Sequence, residues 1–341
     1  MNINKKIFKL LTKTSLSIVL VILSQSLYSE TWTPKIKLIN GTNAGIGKAE
    51  TIKLIALQGG MVPIAEFKDK SGEFSLGEIN SPDGAPVLIQ VNYKNANYNK
   101  MVPPAPNFRT KVQEIIVYES KNDLNSLDVK SVVQILREKD RILVQKLFIL
   151  LNESKPEMSI YAPEKIQFYI PDNAREVTGG LTQGSSKMNI PLTLAKGDKG
   201  RVFERAILPG QSEIQISYYL DAPNLSELNF LEKKDFSSET IRIFLLKPEE
   251  MILSSSNSKL TKLPEKGPDN SIAYRLELKD SMLHSLNLKG GSPVERETFV
   301  SNERKIENGN IFVSREKSLY GVIAVIAFLF SLNFMIRYKK N

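Results

Sequence analysis

Alternation is the feature that most limits what this chain can become. "EIQISYYL" sets Ile214, Ile216, Tyr218 and Leu220 on one face and Gln215, Ser217 and Tyr219 on the other. Successive side chains of a strand point to opposite faces, so a period of two describes a half-buried strand. "KIQFYI" repeats the pattern with Ile166, Phe168 and Ile170. "AYRLELK" turns Tyr274, Leu276 and Leu278 inward and Arg275, Glu277 and Lys279 outward. "ETIRIFLLK" alternates Ile241, Ile243 and Leu245 with Arg242, a reading that leaves the arginine on the wet face. Turn signals separate these runs at Pro171-Asp172-Asn173, Gly179-Gly180, Lys196-Gly197-Asp198, Pro209-Gly210 and Pro268-Asp269-Asn270. Short strands between regular turns predict an all-β chain of tandem β-sandwich domains.

One stretch is ambiguous. "VVQILREKDRILVQKLFILL", residues 132–151, has no glycine or proline and contains helix formers. A helix would bring Lys139 and Lys146 onto its apolar stripe. A hairpin turning at Glu138-Lys139-Asp140 leaves the charges at the tip, and is the preferred reading.

The two ends of the chain differ from its middle. Lys5, Lys6, Lys9 and Lys13 precede a short apolar core, Ser15 to Leu23, followed by small residues at Ser24, Ser26 and Ser29. That order predicts a secretory signal peptide over 1–29, with cleavage after Ser26 or Ser29 fitting equally. Residues 319–336 carry no formal charge and are long enough for a single C-terminal transmembrane helix. Tyr320 and Tyr338 sit at its ends, and Arg337, Lys339 and Lys340 form a basic tail, 337–341, expected to stay in the cytosol. The expectation is a single-pass protein of the cytoplasmic (inner) membrane with its large domain exported to the periplasmic or extracellular side. The net charge of +9 then loses its weight. Four leader lysines and three basic tail residues account for seven of it, leaving +2, too little to mark a nucleic-acid partner.

Within the exported part, residues 34–120 form a first module ending in the polar "ESKNDLNS". Residues 125–292 form a second β-rich region of one or two sandwiches, and 293–318 a charged stalk. The first module contains "KLINGTNAGIGKAETIKLIALQGG" and then "KDKSGEFSL". These segments resemble the carboxypeptidase regulatory-like domain, a transthyretin-like seven-strand sandwich. Its Thr-Asp-x-x-Gly-x-Phe element is matched at Asp69, Gly72 and Phe74, with Lys68 in place of the threonine. Its Gly-x-Pro-x-x-x-Ala element survives only at Gly47 and Ala49. The resemblance implies a structural turn in which Gly72 takes positive φ, Asp69 bonds turn amides and Phe74 returns the chain to the core. It implies no catalysis, because the domain is an accessory of the peptidase.

Catalytic constellations are scarce. There is no cysteine and one histidine, His284, so a zinc site or a cysteine nucleophile has no residues to draw on. No Gly-x-Ser-x-Gly elbow accompanies His284, which reads as a structural or surface residue. "TGGLTQGSS" lacks a P-loop lysine and reads as a mobile loop. No cofactor is expected. The unusual surface candidate is "NYKNANYNKMVPPAPNF", where Tyr93, Tyr98 and Phe108 stand among asparagines and prolines as a candidate partner-contact loop. The preferred reading of the segment is nevertheless a strand entering a proline-rich crossover, with the tyrosines packed on the sandwich end. The function expected is non-catalytic: a membrane-anchored ectodomain of the cell envelope that binds protein or glycan or serves as a subunit of an envelope complex. A solute- or lipid-sensing ectodomain acting through a membrane partner is the first alternative. A hydrolase with an unrecognised site is the second.

Overall fold

Alternation along the chain becomes facing sheets. The computed structural model describes residues 29–293 apart from 185–187, 198–199, 224–226 and 281. The expected leader up to residue 28, the stalk beyond 293, the span and the tail lie outside the described residues. Among the described residues no helix is long and apolar enough to cross a membrane.

In the N-terminal region, β1 (Ser29–Trp32) pairs with β6 (Ile79–Pro82) as a ribbon. β2 (Lys35–Asn40) lies between β5 (Glu73–Ser75), antiparallel, and β9 (Val112–Val117), parallel. A second sheet has the order β4 (Met61–Ser71), β3 (Lys48–Leu57), β7 (Val87–Tyr93), β8 (Ala96–Val102). One core joins the two sheets, with Ile36 and Leu38 of β2, Ile52 and Leu54 of β3, and Val87, Ile89 and Val91 of β7 all buried. Burying such a side chain stabilises by about 1.5–3 kcal/mol, and a chain without cysteine has no disulfide to assist.

The second region is built on an eight-stranded sheet. Its order is β16 (Asn189–Pro191), β15 (Arg175–Gln183), β19 (Gly210–Asp221), β12 (Arg141–Asn152), β11 (Leu127–Arg137), β21 (Ile241–Lys247), β24 (Ile272–Glu277), β23 (Leu260–Lys262). Only β11 and β21 run parallel within it. Two small sheets complete the core: β14 (Gln167–Phe168), β18 (Arg201–Val202), β17 (Ala195–Lys196), and β20 (Leu228–Lys233), β25 (Leu283–Lys289), β22 (Ile252–Ser255). Phe148, Phe168, Phe203 and Phe236 meet inside, with ring centroids 5.2–5.9 Å apart. The regions join through the parallel pair β10 (Ser120–Lys121) and β13 (Ser159–Ile160). Ala206 and Leu208 of the second region pack into the first core.

The ambiguous stretch is a hairpin. β11 and β12 pair from Leu127↔Asn152 to Arg137↔Ile142, turning over Glu138–Asp140. The charges do not all gather at the tip, however, because Lys146 lies mid-strand and fully buried. Ile214, Ile216, Tyr218 and Leu220 face the core as the alternation requires. β21 has the opposite phase to that expected. Arg242, Phe244 and Leu246 are buried, while Ile241, Ile243 and Leu245 are half-buried on the other face. The Gly179-Gly180 pair is likewise no turn and no mobile loop but part of β15. A Cβ on Gly180 would come within 2.4 Å of Asn189 Oδ1 on the paired strand β16, so these glycines serve close approach.

Candidate functional site

The turn matching the family element is placed differently from a hairpin. Gly72 has φ +66°, as required of a residue in the left-handed region. It separates β4 from β5, which belong to different sheets, so it carries the chain across the sandwich. Its N–H donates to Gly47 O at 3.0 Å, and its carbonyl accepts Leu38 N–H at 2.9 Å. Asp69 also has positive φ, +51°, and sits at an exposed position of β4. Phe74 is half-buried against the N-terminal core.

Tyr93 and Tyr98 do not present their rings to a partner. They are 8% and 4% exposed, on strands β7 and β8, because the segment is a strand pair entering a crossover. The Tyr93 hydroxyl donates to Glu119 Oε1 at 2.8 Å. Burial, reinforced by that carboxylate, pushes the phenol up to about 12. The Tyr98 hydroxyl accepts Tyr118 N–H at 3.0 Å and lies 2.9 Å from Ser159 Oγ.

Phe108 is the exception, 43% exposed. It belongs to the single helical turn α1 (Pro106–Arg109) in the crossover between β8 and β9. Arg109 beside it is buried, donating through Nη2 to Ala85 O at 2.9 Å, paired with Glu30 and lying 5.2 Å from the Trp32 ring centroid. On the other side the buried Gln113 donates through Nε2 to Phe108 O at 2.8 Å and Lys111 O at 3.0 Å. The backbone that carries this exposed aromatic is thus held from both sides. Phe108 borders a cleft of about 440 Å³ between β8 and β9, lined also by Lys100, Met101, Pro103, Lys111 and Val112. Lys111 Nζ stands 5.8 Å from the Phe108 ring centroid. Aromatic side chains carried on a held backbone at a rim are a form that binding anchors take.

The largest polar feature was not legible in the sequence. Lys146 of β12, Arg242 of β21, Glu232 of β20, and Asp235 and Glu239 on the β20–β21 connection form an ion cluster with no side-chain exposure. Lys146 Nζ is 2.9 Å from Glu232 Oε1 and donates to Tyr169 O at 2.9 Å. Arg242 Nη1 pairs with Glu232, and Nη2 reaches Asp235 Oδ2 and Glu239 Oε2, both at 2.7 Å. Ser131 donates to Glu239, and Tyr169 N–H to Asp235 Oδ1 at 2.6 Å. Burial raises the Asp235 carboxyl against the pull of Lys146 and Arg242. Burial also acts to raise Glu239, but the charge and hydrogen bond of Arg242 outweigh it and leave the group below its ordinary value. The cations that gather these three carboxylates are side chains of the protein itself, so the arrangement clamps two sheets together.

His284 adjoins this cluster, opposite Glu232 in the β20–β25 register. It is buried, with Nδ1 2.6 Å from Ser258 Oγ, while Nε2 accepts Lys279 N–H at 3.4 Å. That pattern fits the neutral ring with its proton on Nδ1. Burial, then the nearby Arg242 charge, pushes its pKa below 6.5.

In sequence, the chain matches no family model and no curated protein. Among solved structures, a protein of Legionella pneumophila provisionally described as a nutrient binding protein is similar at 9% identity and a TM-score of 0.32. The likeness covers 51% of this chain and 71% of that one, and is too slight to carry a fold or a function.

Proposed function

We propose that the chain is an exported, non-catalytic binding protein of the cell envelope. In this reading, the span at 319–336 holds it in the cytoplasmic membrane and residues 29–293 form its ectodomain of tandem β-sandwiches. The observation that carries the reading is Phe108, an exposed ring on a turn held from below by Arg109 and from the side by Gln113. A ring carried on a held backbone leaves less chain freedom to lose when a partner covers it. The transthyretin-like assignment of the N-terminal region is part of the proposal. It is supported by four strands facing three across one core, and by the positive φ of Gly72.

The test has two arms. In native membranes the protein should resist carbonate, and protease at the outer face should remove nearly everything before Leu319. Partner capture by the anchored protein should fall with Phe108→Ala and survive Lys68→Ala on the exposed edge of β4. Release by carbonate would refute the anchor, and capture indifferent to Phe108 would refute the surface.

A further inference from the structure

The edges of the N-terminal sheets are not equally defended. β4 carries Pro63, Lys68 and Lys70, with a register shift opposite it at Leu54/Ile55, and β8 carries Lys100. Such features discourage another chain from pairing with an edge. β9 reads VQEIIV and pairs with β2 without a shift, having no proline and no lysine. It is the outer strand of the order β5-β2-β9, so one side of its backbone faces no strand of that sheet. Its outward residues include Val112, 38% exposed, and Ile116, 48% exposed. The third, Glu114, is paired with Lys37 at 3.0 Å.

The charge around this edge is one-sided. Lys35 lies beside Val112 in the β2–β9 register, and Lys100 and Lys111 line the cleft that begins at the same end. Among the described residues none of these three lysines forms an ion pair, while the single acid of β9 is already engaged. An extended segment can add to an open edge through main-chain hydrogen bonds, with pockets selecting its side chains. A second copy of this chain would bring no free acid on its own β9, leaving the lysines of both copies uncompensated.

Resting on the reading of the chain as a binding ectodomain, we propose that β9 is a strand-addition site for an extended segment of a partner protein in which apolar and acidic residues alternate. Its apolar side chains enter the cleft against Phe108 and Met101, and its other face lies beside Val112 and Lys35. Its carboxylates meet Lys35, Lys100 and Lys111 at the rim.

The experiment uses the full chain in detergent and a labelled, end-blocked peptide of alternating valine and glutamate, followed by fluorescence anisotropy. A peptide with lysine in place of glutamate is the comparison. The acidic peptide should bind at least about tenfold tighter than the basic one and weaken as salt rises. Phe108→Ala, and separately Lys100→Glu with Lys111→Glu, should each lower its affinity by about tenfold, while Lys68→Glu on β4 leaves it unchanged. These are surface substitutions, and unchanged thermal melts would show that the fold persists. Equal binding of the two peptides, binding indifferent to the cleft variants, or no binding would overturn the site. So would self-association abolished by Ile116→Lys, which would make a second copy the occupant. Should the chain bind an immobilised glycan but no peptide, strand addition falls while the binding reading stands. Loss of membrane anchoring or export would instead defeat the reading itself.

Discussion

Lys146 Nζ lies 2.9 Å from Glu232 Oε1, with neither side chain exposed. Lys146 belongs to the eight-stranded sheet and Glu232 to a three-stranded one, so the contact spans the core of the second region. Removing Lys146 leaves three buried carboxylates facing Arg242 alone, and breaking a buried pair in this way costs about 3–5 kcal/mol. Lys146→Met should lower stability by that amount in urea melts. Adding Glu232→Gln should recover part of the loss, because two carboxylates and not three then share the charge of Arg242. A double variant no more stable than Lys146→Met would show the two residues to be uncoupled.

Tyr98 should matter through its oxygen. Its hydroxyl accepts Tyr118 N–H and lies beside Ser159 Oγ, linking the two regions of the fold. Tyr98→Phe keeps the ring but leaves these groups short of a partner, a loss of about 1–3 kcal/mol. Amide exchange at Tyr118 should quicken with it. Unchanged exchange and an unchanged melt would mean that the hydroxyl holds nothing.

Gly72→Val tests the crossing between sheets. A Cβ there would meet only Ile46 Cγ2 at 3.5 Å, an ordinary contact, so the cost comes from φ +66°. About 1–2 kcal/mol is expected, against almost nothing for the exposed Lys68→Ala. Phe74→Ala should cost less than the about 3–5 kcal/mol of a fully buried phenylalanine such as Phe168, since Phe74 is only half-buried. Chemical denaturation of the four variants checks the ranking, and a Phe74 loss equal to that of Phe168 would contradict it.

His284 gives a pH dependence of definite sign. Its folded pKa lies below 6.5 because burial and Arg242 oppose the charged ring. Above pH 6.5 both folded and unfolded chains hold it neutral. As pH falls through 6.5 the unfolded chain binds a proton that the folded one refuses, so stability declines until the folded pKa is passed. It is the chain's only histidine, which makes the decline between about pH 7 and pH 5 assignable. Melting temperatures should fall over that window in the parent and stay flatter in His284→Gln. Parallel slopes would locate the dependence elsewhere.

The strands were legible where one face is apolar and the other wet. Ile214 to Leu220 follow their alternation, and the 132–151 hairpin follows from keeping Lys139 out of the core. The ion cluster was not legible, because a charged residue inside an alternating run reads as the solvent face. Arg242 and Lys146 are buried only because carboxylates distant in sequence reach them, Glu232 lying 86 residues from Lys146. Of the candidate contact loop, Phe108 was visible as an aromatic among prolines, but Tyr93 and Tyr98 have the same composition and lie inside. What separates them is the strand pairing of β7 with β8, together with the hold of Arg109 and Gln113 on the crossover. That hold depends on Glu30 and Ala85, far back along the chain.

The parallel pairing of β2 with β9 has a consequence for the order in which the molecule can be made. Lys37 and Glu114, neighbours across that pair, are 77 residues apart, and Ser131 meets Arg242 over a still longer separation. Closing such loops must be paid in chain entropy before any contact rewards it, and folds dominated by distant pairings assemble in milliseconds to seconds where helical bundles need far less. A ribosome that has released β2 has not yet supplied its neighbour. The β5-β2-β9 sheet of the first region therefore stays incomplete, with one side of β2 open, until residues 112–117 arrive, so that its core closes late in synthesis.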